Sequence, residues 1–178
     1  MKVWHWIADV DNFENLTTLK QEDWEKLRFD GRKLADTWTA LAVRVMEDSK
    51  ISDTPGLSSG APVLSPRAIS VLKDLMKDIV EVLPLICSSG EYYVINVLDV
   101  VECVDYEKAE FERYESSGRI MLFNKYAFKP ECVKGKHIFK IIDEPVRRPF
   151  ISDEFRNRVL ENGLAGFKFE LVWDSESE

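Results

Sequence analysis

Cysteine, histidine and glycine are scarce in this chain of 178 residues, and an excess of positive charge is missing altogether. The three cysteines, Cys87, Cys103 and Cys132, include no C-x-x-C pair and are too scattered for a disulfide framework. They fit a reducing compartment, as small buried hydrophobes. The two histidines, His5 and His137, leave little for nucleophilic catalysis, which needs a base beside an activated Ser or Cys. No G-x-S-x-G is present. Cys132 and His137 stand five apart and cannot complete a zinc site alone, so no metal is expected. The eight glycines contain neither G-x-G-x-x-G nor a P-loop, and no nucleotide or other cofactor is expected. No apolar run approaches the ~20 residues of a membrane-spanning helix, and Val3–Ala8 is too short for a signal-peptide core. With 24 basic against 32 acidic residues the net charge is -8, which disfavours nucleic acid and anionic membranes as partners. A soluble cytoplasmic protein is the expectation.

The composition that remains is that of a globular domain, 45% hydrophobic and 31% charged. A folded monomer of this mass exposes roughly 8,900 Å², about 30% of the unfolded surface, so a core forms without disulfide or metal staples. We expect one domain over residues 1–178. A β-rich N-terminal part occupies about 1–48, and a mobile, exposed connection rich in Ser, Gly and Pro follows over about 49–62. The main body runs over about 62–173.

Local patterns assign the elements. Lys2–Val10 reads as a strand, with Val3, His5 and Ile7 on one face and Trp4, Trp6 and Ala8 on the other. Leu41–Met46 is a second strand, and Asp30-Gly31 marks a tight turn. Ser65 suits a helix N-cap and Pro66 the first helical position, with Ala68, Val71, Leu72, Leu75, Met76 and Ile79 at helical spacing. Val82–Ile86 and Tyr92–Val101 make a hairpin about Ser88-Ser89-Gly90. Arg119–Asn124, Tyr126–Phe128 and His137–Ile142 are further strands. Ser152 caps a second helix, with Asp153 and Glu154 at its positive end and Gly163 as its stop. Gly166–Trp173 alternates, placing Phe167, Phe169, Leu171 and Trp173 on one face. The acidic tail Asp174–Glu178 is expected to fray. Trp4, Trp6, Trp24 and Trp38 are expected as core or partly surface residues around the N-terminal strands. The class is α+β, with a mainly antiparallel sheet and two main helices.

One charge feature stands out. From Asp99 to Glu115, 17 residues hold seven acids, opposed only by Lys108 and Arg113. Such a run is either a solvated connection or an electrostatic docking surface for a basic partner. On the second reading Asp105, Glu107, Glu110, Glu112 and Glu115 supply the charge, and Phe111 and Tyr114 the aromatic anchors.

The segments Pro62–Ala68, Glu81–Leu85, Tyr92–Val97, Cys103-Val104-Asp105, Ser117–Ile120, Ile138–Lys140, Phe150–Phe155 and Gly163–Phe169 follow in a recognisable order. Over Pro62–Trp173 the chain resembles a bacterial family first catalogued as a domain of unknown function and later assigned to the immunity proteins of polymorphic toxin systems. The N-terminal part fits through Phe29-Asp30-Gly31 and Trp38. The resemblance implies a non-enzymatic protein that binds and neutralises a toxin encoded beside it, and it transfers no catalytic or contact residue. Two readings from other classes stay open beside it: a small carboxylate-dependent hydrolase and a ligand-binding regulatory domain.

Overall fold

A computed structural model describes residues 1–177. Two larger sheets and a separate hairpin carry most of the chain. The strands are β1 (Lys2–Ala8), β2 (Asn15–Thr18), β3 (Leu41–Val45), β4 (Gly56–Leu57), β5 (Val63–Leu64), β6 (Val80–Cys87), β7 (Tyr93–Val97), β8 (Val100–Val101), β9 (Glu110–Arg113), β10 (Ile120–Lys125), β11 (Ile138–Ile141), β12 (Phe150–Ser152) and β13 (Phe167–Asp174). The helices are α1 (Asp23–Lys26), α2 (Pro66–Met76), α3 (Pro130–Val133) and α4 (Asp153–Glu161). One sheet has the order β13-β1-β12-β11-β8, the other β4-β2-β3-β6-β7-β5. Most neighbours run antiparallel; β8/β11, β2/β4 and β3/β6 are parallel. The fold is therefore α+β, mainly antiparallel, with α2 and α4 as its two main helices.

Both main helices start where their capping chemistry puts them. The Ser65 Oγ accepts from Ala68 N, and the Ser152 Oγ from Phe155 N. At the end of α4, Gly163 takes φ +58, a conformation that costs a side chain with a Cβ. Gly163 N then reaches Leu160 O and Leu164 N reaches Val159 O, which satisfies the last carbonyls. The helices pack together, and Arg158 Nη1 of α4 bonds Asp74 of α2 at 3.0 Å.

Three apolar clusters follow from strand alternation. Trp6 faces the helices with Leu72, Leu75, Phe155 and Val159. Val3, one of the residues of opposite parity, lies on the other side of the same sheet with Phe128, Phe139, Phe150 and Trp173. The third cluster joins Leu16, Leu27, Phe29, Leu41, Leu83 and Val94 on the second sheet.

Three expectations need correction. Residues 52–57 are buried, so this stretch is no exposed connection: Leu57 joins a core cluster and Asp53 is fixed by three donors. Trp173 does not share a face with Phe167 and Phe169. Leu171 pairs with Trp4 but Trp173 with Val3, so Val172 is an extra residue, and this bulge turns Trp173 to the opposite side. Tyr126–Phe128 forms only an isolated bridge, Val104 to Phe128. The tail is also held as far as described, since Ser175 N bonds Met1 O; Glu178 lies outside the described residues.

Candidate partner-binding surface

The acidic window becomes a turn followed by the first strand of the β9–β10 hairpin. Its base is fixed by Asp105 N to Ala127 O and Lys129 N to Cys103 O, both 2.9 Å. The Asp105 carboxylate then accepts from Glu107 N at 3.2 Å, closing a turn that Ala109 N to Asp105 O completes. At the far end Gly118 adopts φ +67, and its carbonyl accepts from Arg113 Nη1 at 2.7 Å.

The hairpin has two chemically different faces. Phe111 and Phe123 are register partners with rings 5.8 Å apart. Phe123 stacks on Tyr126 at 4.9 Å, and Tyr126 meets Phe150 at 5.1 Å. This chain of rings ties the hairpin to the core. The carboxylates of Glu107, Glu110, Glu112 and Glu115 are exposed. Glu112 accepts one bond from Asn124, and Glu110 lies opposite Lys125 in the register.

The seven residues singled out in the sequence are thus brought to one segment but not to one role. Glu107, Glu110, Glu112, Glu115 and the half-exposed Tyr114 are available to a partner. Asp105 serves the turn. Phe111 is half-buried between Phe123 and Tyr106, with Arg113 over its ring, so it anchors the hairpin rather than standing free. Of the wider window, Asp99 is held by Lys136 at 2.8 Å.

Beside the hairpin lies a cleft of about 350 Å³ bounded by His5, Phe123, Tyr126, Arg147 and Arg148. Burial holds His5 below its ordinary pKa; Glu170 opposes this and Arg148 reinforces it. Burial and the Glu144 carboxylate push the Tyr126 phenol up, as its hydroxyl donates to Glu144 at 2.8 Å. The other histidine makes a suggestive grouping. His137 Nδ1 is 3.1 Å from Ser152 Oγ and 3.7 Å from Glu154. Both contacts use the same ring nitrogen, whereas a relay needs the two nitrogens to serve different partners. The Ser152 hydroxyl is in addition the cap of α4. Among the described residues no group of three His, Cys, Asp or Glu is placed to hold a metal ion, and no helix is long and apolar enough to cross a membrane.

Sequence reasoning missed the buried polar groups Glu14, Asp53 and Lys140. Lys140 alone carried a signal, as the one charge within Ile138–Ile141.

Fold and surface together define an acidic, mainly β-stranded α+β protein that presents a charged hairpin. The family model of the immunity protein family (Imm11) matches residues 22–174, and the chain belongs to that family. The match confirms the resemblance and extends it over most of the N-terminal part. No curated protein matches the chain in sequence. Family membership gives the protein an immunity role in general terms, which implies a toxin as partner.

Proposed function

We propose that this protein neutralises one cognate bacterial toxin, encoded by a neighbouring gene, by direct stoichiometric binding in the cytoplasm and without catalysis. The docking element is the acidic hairpin with Glu107, Glu110, Glu112, Glu115 and Tyr114, and Asp105 and Phe111 hold it in shape. The observation that carries this reading is the pairing of exposed carboxylates with an aromatic seam that fixes them to the core. A preformed surface loses little entropy on binding, and its charge speeds encounter with a basic target. Toxin domains that act on nucleic acid carry basic clefts because their substrate is polyanionic, and an acidic hairpin can occupy or flank such a cleft. The whole chain acts as one domain, since residues of both main helices and of both larger sheets share one apolar cluster.

The test is an affinity pull-down of tagged full-length protein from its native host, with mass spectrometry of what co-elutes. Stoichiometric recovery of an adjacently encoded protein ending in a toxin domain is expected. Recovery of the bait alone, with the neighbouring gene expressed, overturns the proposal.

A further inference from the structure

A second cavity, of about 450 Å³, opens between the Trp24–Phe29 segment, the turn at Gly60 and the connection from β11 to β12. Its charged lining is entirely basic: Lys140, Arg28 and Arg147, with no carboxylate among the lining residues. In a chain with more acids than bases this is the reverse of the expected mixture. Lys140 is only 3% exposed. Its ammonium donates to two carbonyls, Phe29 O at 2.8 Å and Pro145 O at 3.0 Å, and meets no carboxylate among the described residues. An ammonium has three donors, so one N–H has no partner among the described residues. A buried cation with no counter-charge in direct contact costs free energy that an anion beside it would recover.

The surroundings agree with that reading. Burial pulls Lys140 down to about 8, opposed only by the more distant Asp30. Asp30 is itself engaged by Arg32 at 2.9 Å. Among the described residues Arg28 and Arg147 have only loose ion-pair partners, Glu25 at 3.6 Å and Glu144 at 3.9 Å. Trp24, 40% exposed, is an aromatic lining residue that a ligand can reach from solvent.

We propose that this cavity binds a small organic anion, a phosphate or carboxylate on an aromatic body, with Lys140, Arg28 and Arg147 at the anionic end and Trp24 against the ring. This is a ligand site distinct from the hairpin, and it does not depend on the hairpin's role.

The test is an NMR titration of the full chain with phenyl phosphate, benzyl alcohol and inorganic phosphate. Phenyl phosphate is expected to shift the Trp24 indole and the Gly60 and Ala61 amides saturably. Benzyl alcohol and inorganic phosphate should each bind at least about tenfold more weakly, the loss of one charge-assisted contact set or of the ring. Arg147→Ala should weaken phenyl phosphate about tenfold with the rest of the spectrum intact. Lys140→Met should abolish the shifts; should that variant not fold, Arg28→Ala takes its place beside Arg147→Ala. Equal affinity for either control compound, shifts only outside the cavity, or unchanged binding by Arg147→Ala overturns the proposal.

Discussion

The Asp53 carboxylate accepts a 2.8 Å bond from the Arg67 guanidinium, and through it the stretch at 52–57 is joined to the start of α2. Asp53 also accepts from Ser65 Oγ at 2.7 Å and from Ala165 N at 2.9 Å. One buried side chain thus connects three segments. Asp53→Ala leaves these donors unsatisfied and should cost about 3 kcal/mol, whereas Arg67→Ala, at an exposed partner, should cost about 1 kcal/mol or less. Urea denaturation of both variants checks the ordering. A loss below about 1 kcal/mol for Asp53→Ala would remove its role as a hub.

Gly166 and Gly163 make a controlled pair. Both have positive φ, +88 and +58. A Cβ at Gly166 would stand 2.6 Å from Ser52 Cβ and 2.9 Å from Ser52 Oγ, but at Gly163 it would meet nothing within 4 Å. Gly163→Ala should therefore cost about 1 kcal/mol, the backbone contribution alone. Gly166→Ala should cost about 1–3 kcal/mol more, because the buried Ser52 must shift. Equal losses in thermal unfolding would contradict the close approach.

The contrast between these glycines explains much of what could be read in advance. Caps such as Ser65 and Ser152 act on donors three residues away, so their chemistry is written locally. The stretch over 49–62 has a loop's composition, and composition reports backbone freedom rather than burial. What buries it is Asp53 meeting Ala165, 112 residues distant. The turn of Trp173 away from Phe167 depends on a single extra residue opposite β1, which no alternation in β13 alone reveals. For the candidate site, the charge of the acidic window was legible. That Phe111 turns inward was not, because its partner Phe123 is supplied by the opposing strand.

Phe123 links the hairpin to the core through Tyr126. Phe123→Ala removes the middle ring of that seam, an interaction of about 1 kcal/mol beyond its buried area. Amide exchange over Glu110–Arg113 should accelerate about tenfold, while amides of α2 keep their protection. If the hairpin amides are unchanged, the seam does not hold the hairpin.

The exposed glutamates on that hairpin give the binding prediction. Glu107→Lys, Glu110→Lys and Glu112→Lys made together should slow association with the co-purified toxin by about tenfold or more at low salt, with a smaller change in dissociation. The wild-type on-rate should itself fall as ionic strength rises, since exposed charges are screened over about 10 Å at 0.1 M. Surface plasmon resonance at two salt concentrations measures both. Unchanged association by a folded triple variant would place the docking surface elsewhere on the molecule.

Lys140 makes the protein's stability depend on pH in a direction opposite to that of most ion-paired lysines. Its pKa is pulled from 10.5 to about 8 in the folded state. Below that value the folded and unfolded chains both carry the proton, and the full cost of the buried charge is present. Between the two values the unfolded chain binds more protons than the folded one, so the folded state gains stability as pH rises. From about pH 7 to about pH 9.5 this one group should contribute about 2 kcal/mol of added stability. Other groups oppose it at the alkaline end: Cys103 is pushed up to about 12 and the Tyr92 and Tyr126 phenols are raised, so the folded chain keeps protons that the unfolded one loses. Lys140→Met retains those groups and lacks the amine. The difference in unfolding free energy, wild type minus Lys140→Met, should therefore rise across that range, whatever the offset between the two proteins. A flat difference would mean that Lys140 keeps an ordinary pKa, with its charge solvated rather than buried between Phe29 and Pro145.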